Sequence, residues 1–264
     1  MEGYLVFIRK SMITDFLLSL YFWAVITMLT MISGILAVIV SSFSEDTSQS
    51  IAKLWAKVIL KACMIKVDVT GAENISSQKS YIITPNHQSY FDIFVLLAYI
   101  DLNFKFIAKA SLFKIPFLGW AMKRLGYIAI DRENLRRALK SVKKSTELIK
   151  NKTSILIFPE GTRSLDGKLL SFKKGGLNMF LKQSNPTVLP VVIKGTVNIL
   201  RKNSLTIHPG QKVELHILKP IEASEKKKNF TSGKEDDIIK TIEDEILEVL
   251  NKKASDDKIN DVVN

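Results

Sequence analysis

Tyr81-Ile82-Ile83-Thr84-Pro85-Asn86-His87-Gln88-Ser89-Tyr90-Phe91-Asp92 fits a strand, a turn and a helix start into twelve residues. The apolar run Tyr81-Ile82-Ile83 reads as a strand, and Thr84-Pro85-Asn86 ends it in a turn. Ser89 reads as a cap. Asp92 follows three residues on, as in a variant capping box, with Ile93, Val95, Leu96 and Leu97 behind it. His87 then lies just before a helix and Asp92 in its first turn, where a helix N-terminus favours an anion. Strands alternating with helices in this way build α/β proteins.

The alternation continues along the chain. Strands are expected at residues 66–70, 81–84, 104–108, 127–130, 154–158, 187–194 and 213–218, with helices at 92–100, 116–124, 134–150 and 175–183 between them. The expected fold is α/β, a mixed and mostly parallel sheet flanked by helices, with an N-terminal membrane-embedded helical segment. Residues 236–253 form an amphipathic helix, with Ile239, Ile242, Ile246, Val249 and Leu250 on one face. The organisation is therefore a membrane-anchoring segment over 1–65, an α/β domain over 66–253 and a polar, disordered tail over 254–264.

His87 and Asp92 have the chemistry of a general base and the carboxylate that orients it. A neutral imidazole removes a proton near pH 7. It does so better when its second nitrogen donates to a carboxylate that fixes the tautomer. The alternative of a serine acyl-enzyme lacks its Gly-x-Ser-x-Gly elbow. His208 and His216 lie in or beside strands near the C-terminal end and read as surface or satisfied structural residues, and no side chains show metal-ligand spacing. Farther on, Ser154-Ile155-Leu156-Ile157-Phe158 is a buried strand that Pro159-Glu160-Gly161 ends, with Thr162 and Arg163 following. A guanidinium grips phosphate bidentately, and turn N–H groups add to the grip. Arg132 also follows a strand, at the end of Gly126-Tyr127-Ile128-Ala129-Ile130-Asp131. The carboxyl ends of strands are where open α/β sheets build sites.

Phe16 to Ser44 contains no charged residue, and Asp15 and Glu45 bracket it. As one helix it reaches roughly 43 Å, beyond the roughly 30 Å hydrocarbon core of a bilayer. It reads either as one tilted span or as half of a helical hairpin in a single leaflet. A bend at Ser33-Gly34 and positive flanks on both sides (Arg9 and Lys10; Lys53, Lys57 and Lys61) favour the hairpin at the cytoplasmic face of the cell membrane. From Ser50 to Lys66 apolar residues recur at helical spacing beside Lys53, Lys57 and Lys61. That pattern suits an interfacial helix, or one packed on the domain with a solvated lysine stripe. The 264 residues carry a net charge of +12, of which the last forty contribute −3, leaving a body of +15. Such a body favours anionic membrane lipid, and no nucleic-acid-binding motif accompanies it. A single cysteine, Cys63, excludes an internal disulfide.

Asn86-His87-x4-Asp92 and Phe158-Pro159-Glu160-Gly161-Thr162-Arg163-Ser164 resemble the two signatures of the glycerophospholipid acyltransferase family. Gly126–Arg132, ending in an arginine, and Val188–Gly195, a strand containing Pro190, resemble two further blocks, so the resemblance covers roughly residues 66–220. It implies that His87 is the base and Asp92 its orienter, and that Arg132, Glu160, Gly161, Thr162 and Arg163 shape a pocket for the acceptor's phosphate. Lys109 resembles a family lysine near the site, although Ser111 stands where family members often carry an acid. The implied reaction moves an acyl chain from an acyl thioester, acyl-CoA or acyl-ACP, to the free hydroxyl of lysophosphatidic acid. The product is phosphatidic acid, and no bound cofactor is needed. Another lysophospholipid or an aminolipid could replace that acceptor. A non-catalytic protein binding anionic lipid fits the charge equally well but leaves the His87–Asp92 pair unexplained.

Overall fold

The computed structural model describes residues 2–41, 43, 45–131, 135–151, 153–184, 186–223 and 234–252. Its centre is an eight-stranded sheet built from β1 (Lys66–Thr70), β2 (Tyr81–Pro85), β3 (Phe104–Lys109), β4 (Ile128–Ile130), β5 (Ser154–Leu156), β6 (Thr187–Lys194), β7 (Lys212–Ile217) and β8 (Ile221–Glu222). The strand order is β1-β7-β6-β2-β5-β3-β4, and β8 pairs with β6. Neighbours from β6 to β4 run parallel, while β7 and β8 are antiparallel to β6. β2 is buried along its whole length, as a central parallel strand covered on both faces must be. Alternate residues serve opposite faces: Tyr81, Ile83, Leu189 and Val191 enter one core, and Ile82, Val188 and Val192 the other.

The helices sort by the direction of each crossover. From β2 through α3 (Phe91–Tyr99) to β3, and on through α4 (Leu118–Arg124) to β4, the chain moves toward the β4 edge. From β4 through α5 (Leu135–Lys150) to β5, and through α6 (Lys174–Ser184) to β6, it moves back. A single crossover hand puts these two groups on opposite faces. The cores show that division: Phe94, Val95 and Met122 lie in one, Ile149, Leu177 and Phe180 in the other. The chain leaves β2 and its neighbour β5 in opposite senses, which opens a crevice at their carboxyl ends.

Two long helices, α1 (Glu2–Val40) and α2 (Glu45–Ala62), cover the α3/α4 face. The expected bend at Ser33-Gly34 does not occur, since α1 is one continuous helix. Gly34 instead allows close approach: a Cβ there would lie 3.0 Å from the carbonyl oxygen of Phe117. Within α1, Ile13–Val40 is long and apolar enough to cross a membrane. Phe22 and Ile26 of α1 and Ala56, Ile59 and Leu60 of α2 share one core with the sheet, so position 65 divides no separate cores. The side of α2 that carries Ala52, Ala56, Ile59 and Leu60 is covered by protein, with Trp55 edge-on to Phe94 at 5.2 Å. Lys53 pairs with Asp101, while Lys57 and Lys61 are solvated and Leu54 and Val58 exposed.

The remaining expected elements are found within a few residues. α4 begins at Leu118 and not at residue 116, because Phe117 takes a positive φ of 61°. Periodicity missed the two-residue β8 and the four-residue α7 (Thr196–Ile199). The C-terminal helix is α8 (Lys234–Asn251), and the tail expected to be disordered, 254–264, lies outside the described residues.

Candidate active site

The loop leaving β2 carries Asn86, His87, Gln88 and Ser89. Asn86 exchanges two hydrogen bonds with the backbone of Ile193 at 2.9 and 2.7 Å, tying the loop to β6. His87 follows, with its ring stacked on Phe158 at 3.8 Å. Its Nδ1 lies 2.8 Å from Asp92 Oδ2. The same oxygen accepts the N–H groups of Gln88 at 2.7 Å and Ser89 at 2.9 Å. Asp92 Oδ1 accepts the hydroxyl of Thr196. Asp92 is fully buried, and this ring of donors suits a carboxylate. Nδ1 therefore donates to Asp92, which leaves Nε2 of a neutral His87 free to accept a proton. The His87 side chain is 15% exposed, enough to be reached from the crevice.

The loop leaving β5 is laced to the first one. Glu160 Oε1 accepts the His87 N–H at 2.6 Å and Oε2 the Leu170 N–H at 2.9 Å. Ser164 N–H donates to the His87 carbonyl at 2.8 Å, and Gln88 Nε2 donates to Gly167 O at 2.9 Å. Glu160 is buried, which pushes its carboxyl up to about 7 while its two N–H donors oppose the shift. Glu160 thus joins the two loops. Gly161 has φ 71°, with the Lys173 side chain above it, and Thr162 is exposed. The Arg163 guanidinium lies 3.7 Å from the centre of the Tyr90 ring, a cation–π contact that brings it beside the loop that carries His87.

Lys109 ends β3 opposite Ile130 of β4, on the same carboxyl edge of the sheet, and its side chain is exposed. Arg132 lies outside the described residues, two positions past the end of β4. Ser89 is more than a cap: it accepts the Phe91 N–H at 3.3 Å and donates to Leu200 O at 2.8 Å. His216 sits between Thr70 and Glu214 on the far side of the sheet order, in a structural role.

Four contributors escaped the sequence reading: Tyr90, Lys173, Thr196 and Lys202. Lys202 Nζ donates to the Arg163 carbonyl at 2.8 Å. It belongs to a strap, residues 200–207, that also touches α1. Trp23 Nε1 donates to Leu205 O at 2.7 Å, and the Ile207 N–H donates to Ser19 Oγ at 3.1 Å. Gly195-Thr196 at the end of an expected strand was the available signal for Thr196.

A family profile described as acyltransferase matches residues 66–194. The 1-acyl-sn-glycerol-3-phosphate acyltransferase of Borreliella burgdorferi is 33% identical over 198 residues, covering 70% of this chain and 78% of that protein. The chloroplastic 1-acyl-sn-glycerol-3-phosphate acyltransferase of Arabidopsis thaliana is 39% identical over 175 residues, covering 66% of this chain. The match spans 48% of that plant protein and 50% of its counterpart from Brassica napus, about half the length of each. The crystal structure of the 1-acyl-sn-glycerophosphate acyltransferase PlsC from Thermotoga maritima aligns with a TM-score of 0.77 at 31% identity, covering 92% of this chain and 98% of that one. The sequence signatures, the sheet and the relatives agree, and the chain belongs to the acyltransferase family that holds these 1-acyl-sn-glycerol-3-phosphate acyltransferases.

Proposed function

We propose that the protein transfers an acyl chain from acyl-CoA or acyl-ACP to the free hydroxyl of lysophosphatidic acid, giving phosphatidic acid. The observation that carries this reading is the His87–Asp92 pair, with Nε2 unengaged among the described residues, on the loop whose Tyr90 ring carries the Arg163 guanidinium. His87 Nε2 takes the acceptor's hydroxyl proton as its oxygen attacks the thioester carbonyl. Asp92 stabilises the imidazolium that forms. The tetrahedral intermediate expels the thiolate, which takes the proton from His87 and leaves as free thiol. The names of the relatives support lysophosphatidic acid as acceptor. Thiol release from each donor, measured with and without lysophosphatidic acid, tests the proposal; binding to lipid without thiol release would leave a non-catalytic lipid-binding protein.

Arg163, with Lys109 on the same sheet edge and Arg132 two positions past β4 in the sequence, is the group proposed to hold the acceptor's phosphate. Arg163→Ala is expected to weaken acceptor use by about 1.5–3 kcal/mol, roughly 10- to 150-fold. Donor KM should change less. A larger effect on the donor than on the acceptor would move Arg163 to the carrier side of the site.

For localisation, the proposal is attachment to one leaflet at the cytoplasmic face. α1 is held along the domain, with Ser19, Phe22, Ile26 and Ala37 inward. Phe16, Leu20, Met28, Ile32, Ile35 and Ile39 form its outer, exposed stripe. A helix clamped lengthwise can give such a stripe to a single leaflet without crossing it. Single cysteines at Gly3 and Phe43, in a Cys63→Ala background and sealed vesicles, should then label from the same side. Labelling from opposite sides would establish a span.

A further inference from the structure

We propose that the segment from Lys114 to Arg124 is a second membrane contact, docking on the same anionic leaflet as α1. The inference rests on the reading of α1 as a leaflet-bound helix and adds a separate surface to it.

The local backbone is unusual. Phe117 has φ 61° and ψ −58°, and Leu118 N–H donates to Pro116 O at 2.7 Å, a γ-turn of the rare positive-φ form. Beyond this turn α4 buries Gly119, Ala121 and Met122 against its neighbours. Trp120 on the same helix is 51% exposed, and Ile115 before the turn is 45% exposed. A large aromatic side chain half in solvent beside an exposed isoleucine is a poor arrangement for a purely aqueous surface. Tryptophan is favoured at the boundary between lipid and water.

The apolar surface is continuous with α1. The Phe117 ring lies 5.0 Å from that of Trp120, while the Phe117 backbone rests on Gly34. Met31 and Ile35, near Gly34 on α1, are exposed, and Ile35 belongs to the outer stripe. Charge selects the partner. Between Asp101 and Asp131 the chain has no acidic residue, yet it carries Lys105, Lys109, Lys114, Lys123 and Arg124. Lys109, Lys114, Lys123 and Arg124 are exposed. Basic side chains flanking apolar ones match an anionic lipid headgroup layer. This segment also follows directly from Lys109 at the carboxyl end of β3, so docking here turns the edge that carries His87 toward the leaflet.

The test uses the full chain with Trp23→Phe and Trp55→Phe, which leaves Trp120 as its single tryptophan. It is reconstituted in phosphatidylcholine vesicles with phosphatidylglycerol. Trp120 emission should be blue-shifted, shielded from aqueous iodide and largely quenched by lipids brominated near the headgroup. If those substitutions disturb the fold, Trp120→Cys in a Cys63→Ala background, carrying a polarity-sensitive fluorophore, gives the same readout. Emission that remains water-like and open to iodide overturns the proposal. Shielding that develops only when acyl carrier protein is added also overturns it, assigning the surface to a protein. An unquenched Trp120, where the unsubstituted protein turns over lysophosphatidic acid in the same vesicles, rejects the second contact alone. A quenched Trp120, with no turnover by the unsubstituted protein in the same vesicles, rejects the catalytic reading alone.

Discussion

His87→Ala is expected to lower acyl transfer by about 10²- to 10⁴-fold, the usual contribution of a positioned general base, without unfolding the protein. The structure explains why both halves of that result belong together. The loop is held through the His87 N–H on Glu160 and the His87 carbonyl on Ser164, and neither contact needs the ring. Asp92 retains Gln88, Ser89 and Thr196 as donors when the imidazole is gone. What is lost is a stacking contact with Phe158 and the proposed proton acceptor. Steady-state thiol release and a thermal melt on the same sample check it. A folded variant that keeps near-normal turnover would remove His87 from the chemistry.

The second large effect is at Asp92, where two substitutions separate charge from structure. Asp92→Asn leaves one oxygen for the position where His87, Gln88 and Ser89 converge, and its NH2 can face the Thr196 hydroxyl, which is able to accept. The tautomer of His87 is then kept, but the negative charge proposed to stabilise the imidazolium is gone. Turnover should fall on the order of 10²-fold or more with a modest change in stability. Asp92→Ala orphans buried donors at a fully enclosed position. It should cost roughly 3–5 kcal/mol, or on the order of 10 °C in Tm. Should Asp92→Asn turn over normally, the carboxylate is a structural cap and not an orienter of the base.

The parts of this site that could be read from the sequence are those whose partners lie close in the chain. His87 and Asp92 meet across five residues, and a strand, a turn and a helix start are enough to predict the meeting. Glu160, Gly161 and Arg163 were legible as one turn for the same reason. Thr196 was not, because its hydroxyl reaches Asp92 only when β6 pairs beside β2, and no local pattern specifies that pairing. Lys202 and Tyr90 depend likewise on loops that meet above the sheet. Glu160 was placed in the right neighbourhood, but its burial under two N–H groups depends on the distant Leu170 loop and on His87. The misread bend at Ser33-Gly34 has a parallel cause. Glycine permits a bend and also a close approach, and only the position of Phe117 decides between them.

The strap over residues 200–207 makes the N-terminal helix poorly interchangeable. One end of the strap receives Trp23 and is received by Ser19, and the other holds the Arg163 carbonyl through Lys202 and the Ser89 hydroxyl through Leu200. A chimaera that replaced α1 with an unrelated apolar helix of equal length could preserve attachment to lipid, yet it would break two of the strap's tethers. Divergence among related chains in this region should therefore be correlated: a change at the Ser19 or Trp23 position calls for a compensating change in the strap, whereas the outward stripe of α1 is free to drift among apolar residues.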